Sequence, residues 1–296
     1  MENTHAAVNG VLLIDKPVGP SSNAVLQRAK RLLGATRAGH TGTLDPLAGG
    51  LLVVGLGEAT KFAGALLDAD KAYRARVKLG ERTATGDTEG AVLARSEVRV
   101  TREALLAVLD RFRGEIEQLP PLHAAIKHRG RPLYAYARAS EHVPRAPRRI
   151  AIRLLELEEF EADSAVLFVE CSKGTYIRAL AEDIGAVLGC GAHLAALERI
   201  AVGPFRLSQS ITLDALEALP IAERRDRLLA PEALLGSRPR LTLEAKVAAK
   251  FRHGQAVSVG SASGRVAVFG EEGTFLGTGE VDANGMLQPK RLLALR

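Results

Sequence analysis

The sequence predicts an α+β fold: a mixed, mostly antiparallel central sheet flanked by helices, then a small β-rich domain at the C-terminus. Three observations predict it. Apolar runs and alternating stretches of strand length recur through the first part of the chain. Helical stretches interleave with them, but many strands are separated by loops alone, which disfavours a doubly wound parallel sheet. After Gly236-Ser237-Arg238-Pro239 the chain changes to short strands punctuated by glycine turns. Its 296 residues suffice for one large and one small domain.

Each element has a local reason. Val11-Leu12-Leu13-Ile14 reads as a buried strand ended by Asp15-Lys16-Pro17. Ser21 or Ser22 can cap a helix that runs to about Leu33, with Gly34 as its stop. Leu51 to Leu56 is a second apolar strand, and Glu58 to Leu67 has helical character. From Ala72 to Leu79 the residues alternate, with Tyr73, Ala75, Val77 and Leu79 on one face and basic residues on the other. Glu81 to Gly90 reads as a polar loop, and a helix is expected from Thr101 to beyond Phe112. Arg149 to Glu161 and Ser164 to Cys171 show strand alternation. Tyr176 to Leu188 carries a helical stripe of Ile177, Leu180, Ala181, Ile184 and Leu188. In the last segment a short helix is expected from Thr242 to about Phe251, with strands at Val266–Phe269 and Thr274–Gly277.

Composition narrows the function. Lys and Arg number 40 against 34 Asp and Glu, a modest excess that suits a polyanionic partner without requiring one. Two cysteines, Cys171 and Cys190, make neither a disulfide framework nor a zinc site, and read as core residues of a reducing compartment. No secretory pattern opens the chain and no apolar run approaches membrane-spanning length, so a cytoplasmic protein without a membrane partner is expected. There is no Walker A sequence, no strand-linked GxGxxG, no Gly-x-Ser-x-Gly elbow and no His-x-x-x-His helix. The expectation is an activity with no cofactor and no metal.

Two polar clusters remain. Gly39-His40-Thr41-Gly42-Thr43-Leu44-Asp45-Pro46 sets one carboxylate on a turn of small residues just before an apolar strand. Such a loop can present Asp45 to a cleft, although an ordinary Asp-Pro turn has the same local sequence. Cys171-Ser172-Lys173-Gly174-Thr175-Tyr176-Ile177-Arg178 lies where a strand gives way to a helix. Arg178 among apolar neighbours needs a carboxylate partner, and helical spacing suggests Glu182. Between them, Lys127 to Arg149 holds Lys127, Arg129, Arg131, Arg138, Arg145, Arg148 and Arg149 with Tyr134, Tyr136 and several prolines. This is either a solvated insertion or a surface for phosphate contact and base stacking.

The run from Gly39 to Phe62 resembles the catalytic motif of TruB-type tRNA pseudouridine synthases of the bacterial type. These enzymes isomerise the uridine at position 55 in the T-loop of tRNA. The likeness extends through Asn9–Val11, Asp15–Pro17, Asp70–Arg74, Phe112–Gly114, Cys171–Arg178 and Leu188–Leu194, in the family's order along nearly the whole chain. It implies that Asp45 is the catalytic aspartate, that Arg178 pairs with it, and that Tyr73 stacks on the flipped base. It further implies that Tyr176 and Leu197 line the uracil pocket. His40 would fill the space the uridine leaves, and Lys16 would support the catalytic loop. Residues 124–150 would form an RNA-gripping thumb, with Lys127, Arg129, Arg131, Arg145 and Arg148 on the RNA. Residues 1–236 would be the catalytic domain and 237–296 a PUA-like domain that helps hold the acceptor stem. The implied partner is tRNA, bound by a monomer, with a tRNA-folding role as a possible companion activity.

Two other readings compete with this enzyme. A non-catalytic RNA-binding or RNA-folding protein on the same scaffold would need the basic segment but not Asp45. A carboxylate-based hydrolase of a small substrate would not need the tyrosine-bearing basic insertion.

Overall fold

β1 (Gly10–Lys16) leads through α1 (Ser22–Leu33) to β2 (Ala38–His40) and β3 (Ala48–Leu56). A 3-10 helix at Gly57–Leu66 precedes β4 (Lys71–Leu79). β5 (Glu81–Thr83) and β6 (Val92–Arg95) form a hairpin, and α2 (Arg102–Asp110) and β7 (Gly114–Gln118) follow. β8 (Lys127–His128) pairs with β9 (Arg131–Pro132) ahead of the long β10 (Arg148–Glu161) and β11 (Ser164–Cys171). Then come α3 (Ile177–Leu188), β12 (Ala192–Val202), β13 (Phe205–Arg206), β14 (Ile211–Thr212), α4 (Leu213–Ala218) and α5 (Ile221–Asp226). The last part holds β15 (Arg240–Leu243), α6 (Ala245–Arg252), β16 (Val257–Ser258), β17 (Gly264–Gly270), β18 (Phe275–Val281) and β19 (Met286–Leu292). The computed structural model describes residues 7–122, 126–128, 130–133, 136, 139, 141, 143–260 and 263–294.

The central sheet has the order β14-β1-β3-β12-β4-β11-β10-β7, with β2 added beside β3 and β13 beside β12. Only β1–β14 and β3–β12 run parallel; the other pairs are antiparallel. The fold is the α+β arrangement that loop-separated strands predict. The C-terminal part is a separate five-stranded sheet, β15-β17-β18-β19-β16.

β3 shows how the sheet is covered. All nine of its residues are buried, so it reads as an unbroken apolar run. Leu52, Val54 and Leu56 pack with Leu12, Ile14 and the Val25–Leu33 face of α1. Leu51 and Val53 point the other way, toward Phe62, Leu66, Val202, Phe269 and Phe275. The C-terminal sheet therefore supplies part of the cover for one face of the central sheet. A third core joins β4, β10, β11 and β12 to the Leu105–Leu109 face of α2 and to Leu180 and Ile184 of α3.

Several boundaries differ from expectation. The helical stretch expected over Glu58–Leu67 is a 3-10 helix at Gly57–Leu66, opened by Gly57 at φ 58° and containing Gly64. α2 ends at Asp110, not beyond Phe112, because Gly114 at φ 85° already turns the chain into β7. The start of the polar Glu81–Gly90 stretch, Glu81–Thr83, is drawn into the β5–β6 hairpin. Thr242 lies in β15, parallel to β17, and the helix starts only at Ala245. Strand β12, next to β3 and β4 at the centre of the sheet, was not evident, because Glu198 and Arg199 interrupt its apolar pattern.

Candidate active site

Asp45 lies in the loop joining β2 to β3, and three buried side chains hold that loop from beneath. Ser22, at the first turn of α1, donates its hydroxyl to the Leu44 carbonyl (2.9 Å) and accepts the Leu44 N–H (2.8 Å). Lys16, fully buried at the end of β1, donates to the carbonyls of Ala48 (2.6 Å) and Pro17 (2.9 Å). Arg199, 1% exposed in β12, donates to the carbonyls of Leu51 (2.8 Å) and Gly42 (3.1 Å). Burial lowers the pKa of Lys16, with the Asp45 charge opposing that shift. The glycines have a matching reason. At Gly50, φ is 94° and a Cβ would stand 2.5 Å from the Arg199 carbonyl oxygen.

Arg178 approaches the same carboxylate from α3. Its Nη2 is 3.0 Å from Asp45 Oδ2, and its Nη1 is 3.5 Å from Asp87 Oδ2. Nη1 also donates to the Thr85 carbonyl at 3.2 Å. The Arg178 and Asp87 side chains are only 7% and 3% exposed, whereas Asp45 is 43% exposed. One guanidinium thus spans a buried carboxylate and an accessible one, which fixes its position without consuming the accessible partner. Glu182, the partner suggested by helical spacing, lies against Gly86, where burial raises its pKa.

Beside this pair opens a cavity of about 260 Å³, lined among others by Asp45, Lys71, Tyr73, Tyr176, Arg178 and Leu197. The sheet register assembles it. Tyr73 of β4 stands opposite Arg199 of β12, and Leu197 stands opposite both Ala75 of β4 and Ala48 of β3. Tyr176 forms the N-cap of α3, where buried Gln118 clamps its backbone. The Gln118 amide oxygen takes the Tyr176 N–H (2.8 Å), and its amide nitrogen donates to the Tyr176 carbonyl (3.1 Å). Burial raises the pKa of both tyrosines, which favours their neutral phenols, and lowers that of Lys71. A larger cavity of about 810 Å³ lies near Ala65, Phe168, Arg206 and Leu235. It lacks the paired aspartate and arginine, so chemistry points to the smaller one.

The other residues singled out by sequence spread more widely. His40 sits in β2 outside the cavity lining, half-buried, with its Nδ1 lacking a hydrogen-bond partner. Burial, then the Arg199 charge, lowers its pKa. Arg131 pairs with Glu141 (3.0 Å) and lies 4.5 Å over the Tyr136 ring. Arg145 donates to the Pro120 carbonyl at 2.8 Å. Arg148 is exposed at the start of β10, near enough to Tyr176 to act on its phenol. Lys127 lies in β8, while Arg129, Tyr134 and Arg138 fall outside the described residues. Among the described residues, no group of three His, Cys, Asp or Glu side chains is placed to share a metal ion. No helix there is long and apolar enough to cross a membrane. Sequence reasoning missed Asp87, Arg199, Ser22 and Gln118, all buried polar residues. A charged pair inside the otherwise apolar Ala192–Val202 stretch was the one available signal.

Comparison with known proteins bears on this geometry. Residues 30–177 match the N-terminal domain model of the TruB family pseudouridylate synthases. Residues 178–235 match the tRNA pseudouridylate synthase B C-terminal domain, and 239–293 the C-terminal model of pseudouridine synthase II TruB. The tRNA pseudouridine synthase B of Aromatoleum aromaticum is 54% identical over 97% of this chain and 93% of its own length. That of Thiobacillus denitrificans is 52% identical over 99% of each. Among solved structures, a Cbf5-Nop10-Gar1 complex contains a chain with TM-score 0.75 and 28% identity, over 96% of this chain and 84% of that one. An H/ACA RNP bound to a substrate RNA containing 2'-deoxyuridine gives TM-score 0.75 and 25% identity, over 97% and 86%.

Proposed function

The chain belongs to the TruB family of pseudouridine synthases, an isomerase that turns uridine into pseudouridine in tRNA, and from that premise we propose that Asp45 is its catalytic carboxylate, acting on uridine 55 of the T-loop. One observation carries the assignment. Asp45 is the accessible end of a carboxylate–guanidinium–carboxylate row at the mouth of a cavity walled by Tyr73, Tyr176 and Leu197.

The reaction separates uracil from C1′ of its ribose, rotates it and rejoins it through C5. It has no net oxidation, reduction or hydrolysis. Asp45 can serve as a nucleophile at C1′ or at C6 of the ring, or as the base that takes the C2′ proton. In each case Arg178 supplies a fixed positive charge beside it and holds its orientation. The uridine must leave its stack, at a cost of a few kcal/mol. Stacking on Tyr73, at about 1–3 kcal/mol per base, offsets that cost. Tyr176 and Leu197 close the uracil pocket, Lys16 supports the loop, and His40 fills the gap left in the T-loop.

The RNA-binding surface draws on the basic segment and on the C-terminal part. Residues 124–150, with Lys127, Arg129, Arg131, Arg145 and Arg148, form the thumb that grips the T-stem-loop. Residues 1–236 are the catalytic domain and 237–296 the part that holds the acceptor stem. The break between family segments at 235 and 239 supports that boundary. A cytoplasmic monomer fits this reading. The test is chemical mapping of pseudouridine in a T-stem-loop RNA incubated with the protein. Conversion of the uridine at position 55 alone is expected. Conversion at another uridine, with that one untouched, would refute the assignment.

A further inference from the structure

Arg199 does more than fill the core. It is 1% exposed, and among the described residues it forms no ion pair with a carboxylate. A guanidinium so deeply buried is costly unless its donors are spent on well-placed acceptors. Here they are spent on one region. Nε donates to the Leu51 carbonyl (2.8 Å), Nη2 to the Gly42 carbonyl (3.1 Å), and Nη1 approaches the Thr43 carbonyl (3.5 Å). Gly42 and Thr43 are the approach to Asp45, and Leu51 belongs to the strand that leaves it. On the other side Arg199 is the cross-strand neighbour of Tyr73 and lines the same cavity.

Glycines border this residue on two sides, Gly42 against its side chain and Gly50 against its backbone. A Cβ on Gly42 would lie 3.5 Å from Arg199 Nη1. One on Gly50 would lie 2.5 Å from the Arg199 carbonyl oxygen and 2.7 Å from its nitrogen. The backbones of β3 and β12 can come this close only because Gly50 lacks a side chain, whereas a Cβ on Gly42 would make an ordinary contact.

We propose that Arg199 is a positioning residue of the isomerisation, fixing the approach to Asp45 against the strand that carries Tyr73. Arg199 acts through these two residues, by setting the distance between Asp45 and Tyr73. Arginine suits the task because its planar fork reaches three carbonyls at once, which a single ammonium cannot reproduce. The inference rests on Asp45 being the catalytic carboxylate.

The experiment measures initial rates on a T-stem-loop RNA for the wild type, Arg199→Met, Arg199→Lys and, in parallel, Asp45→Asn. A misplacement of about 1 Å costs about 100-fold in rate, so kcat of Arg199→Met is expected to fall by about that factor while KM stays within about threefold. Arg199→Lys restores part of the lost kcat. The proposal is overturned if kcat of both variants stays within about threefold of wild type, if KM rises as much as kcat falls, or if Lys does no better than Met. Should the Met variant fail to fold by circular dichroism, the Lys variant decides alone: a kcat about tenfold down at unchanged KM supports positioning, and a wild-type kcat refutes it. An active Asp45→Asn protein would remove the Asp45 assignment itself. An inactive one beside fully active Arg199 variants would remove only this inference.

Discussion

At the scale of single residues, the site is a contrast between buried charges held by their partners and the more accessible carboxylate of Asp45, the proposed catalytic group. Asp87, Arg178, Lys16 and Arg199 are enclosed and satisfied by named partners, whereas the Asp45 side chain is 43% exposed at the cavity. His40 belongs to the same economy of burial. Burial first, and the Arg199 charge second, lower its pKa below the ordinary 6.5. The unfolded chain therefore takes up a proton that the folded ring resists. Stability is full above 6.5 and declines as pH falls through that value, levelling off below the lowered folded pKa. The expected result is that His40→Asn, followed by urea unfolding at several pH values, loses less stability than wild type between neutral and mildly acidic pH. Equal slopes for the two proteins would contradict a depressed His40.

At the scale of elements, the Asp45 loop is shaped by what lies beneath it. Ser22 satisfies both backbone groups of Leu44 from the first turn of α1. Ser22→Ala leaves a buried N–H and C=O unpaired, a loss of about 1–3 kcal/mol. A lower urea midpoint is expected together with slower turnover; unchanged stability would show that the loop does not depend on this clamp. The sequence made much of this level legible. Alternation marked β4 and β11, and Gly34 marked the end of α1, whose start was narrowed to Ser21 or Ser22, with Ser21 the cap in the structure. The Asp45 loop stood out by its glycines and its single carboxylate. Strand β12 did not, because Glu198 and Arg199 break the apolar period at the point where the strand meets the site. Asp87 and Gln118 were equally hidden. Each matters through a contact distant in sequence, with Arg178 and with the Tyr176 backbone, and no local pattern announces such a contact.

At the scale of the whole molecule, the two sheets share a core. Phe62, from the 3-10 helix of the larger part, meets Phe275 of β18 edge-on with centroids 5.1 Å apart. Phe269, Val53 and Val202 belong to the same cluster. The C-terminal sheet thus covers a face on which the site-bearing strand β3 also lies. Phe275→Ala should cost about 3–5 kcal/mol, and thermal unfolding of both proteins should remain a single transition. A separate early transition for the C-terminal sheet, with the main one unmoved, would contradict a shared core.

The proposed role of Asp45 is tested by single-turnover pseudouridine formation by Asp45→Asn at protein concentrations that saturate the T-stem-loop RNA, with binding measured alongside. Asparagine keeps the shape and removes the charge. The expected result is undiminished binding with turnover lower by on the order of 1,000-fold or more. Wild-type turnover by the bound variant would contradict the central claim and leave the Asp45–Arg178–Asp87 row a structural brace.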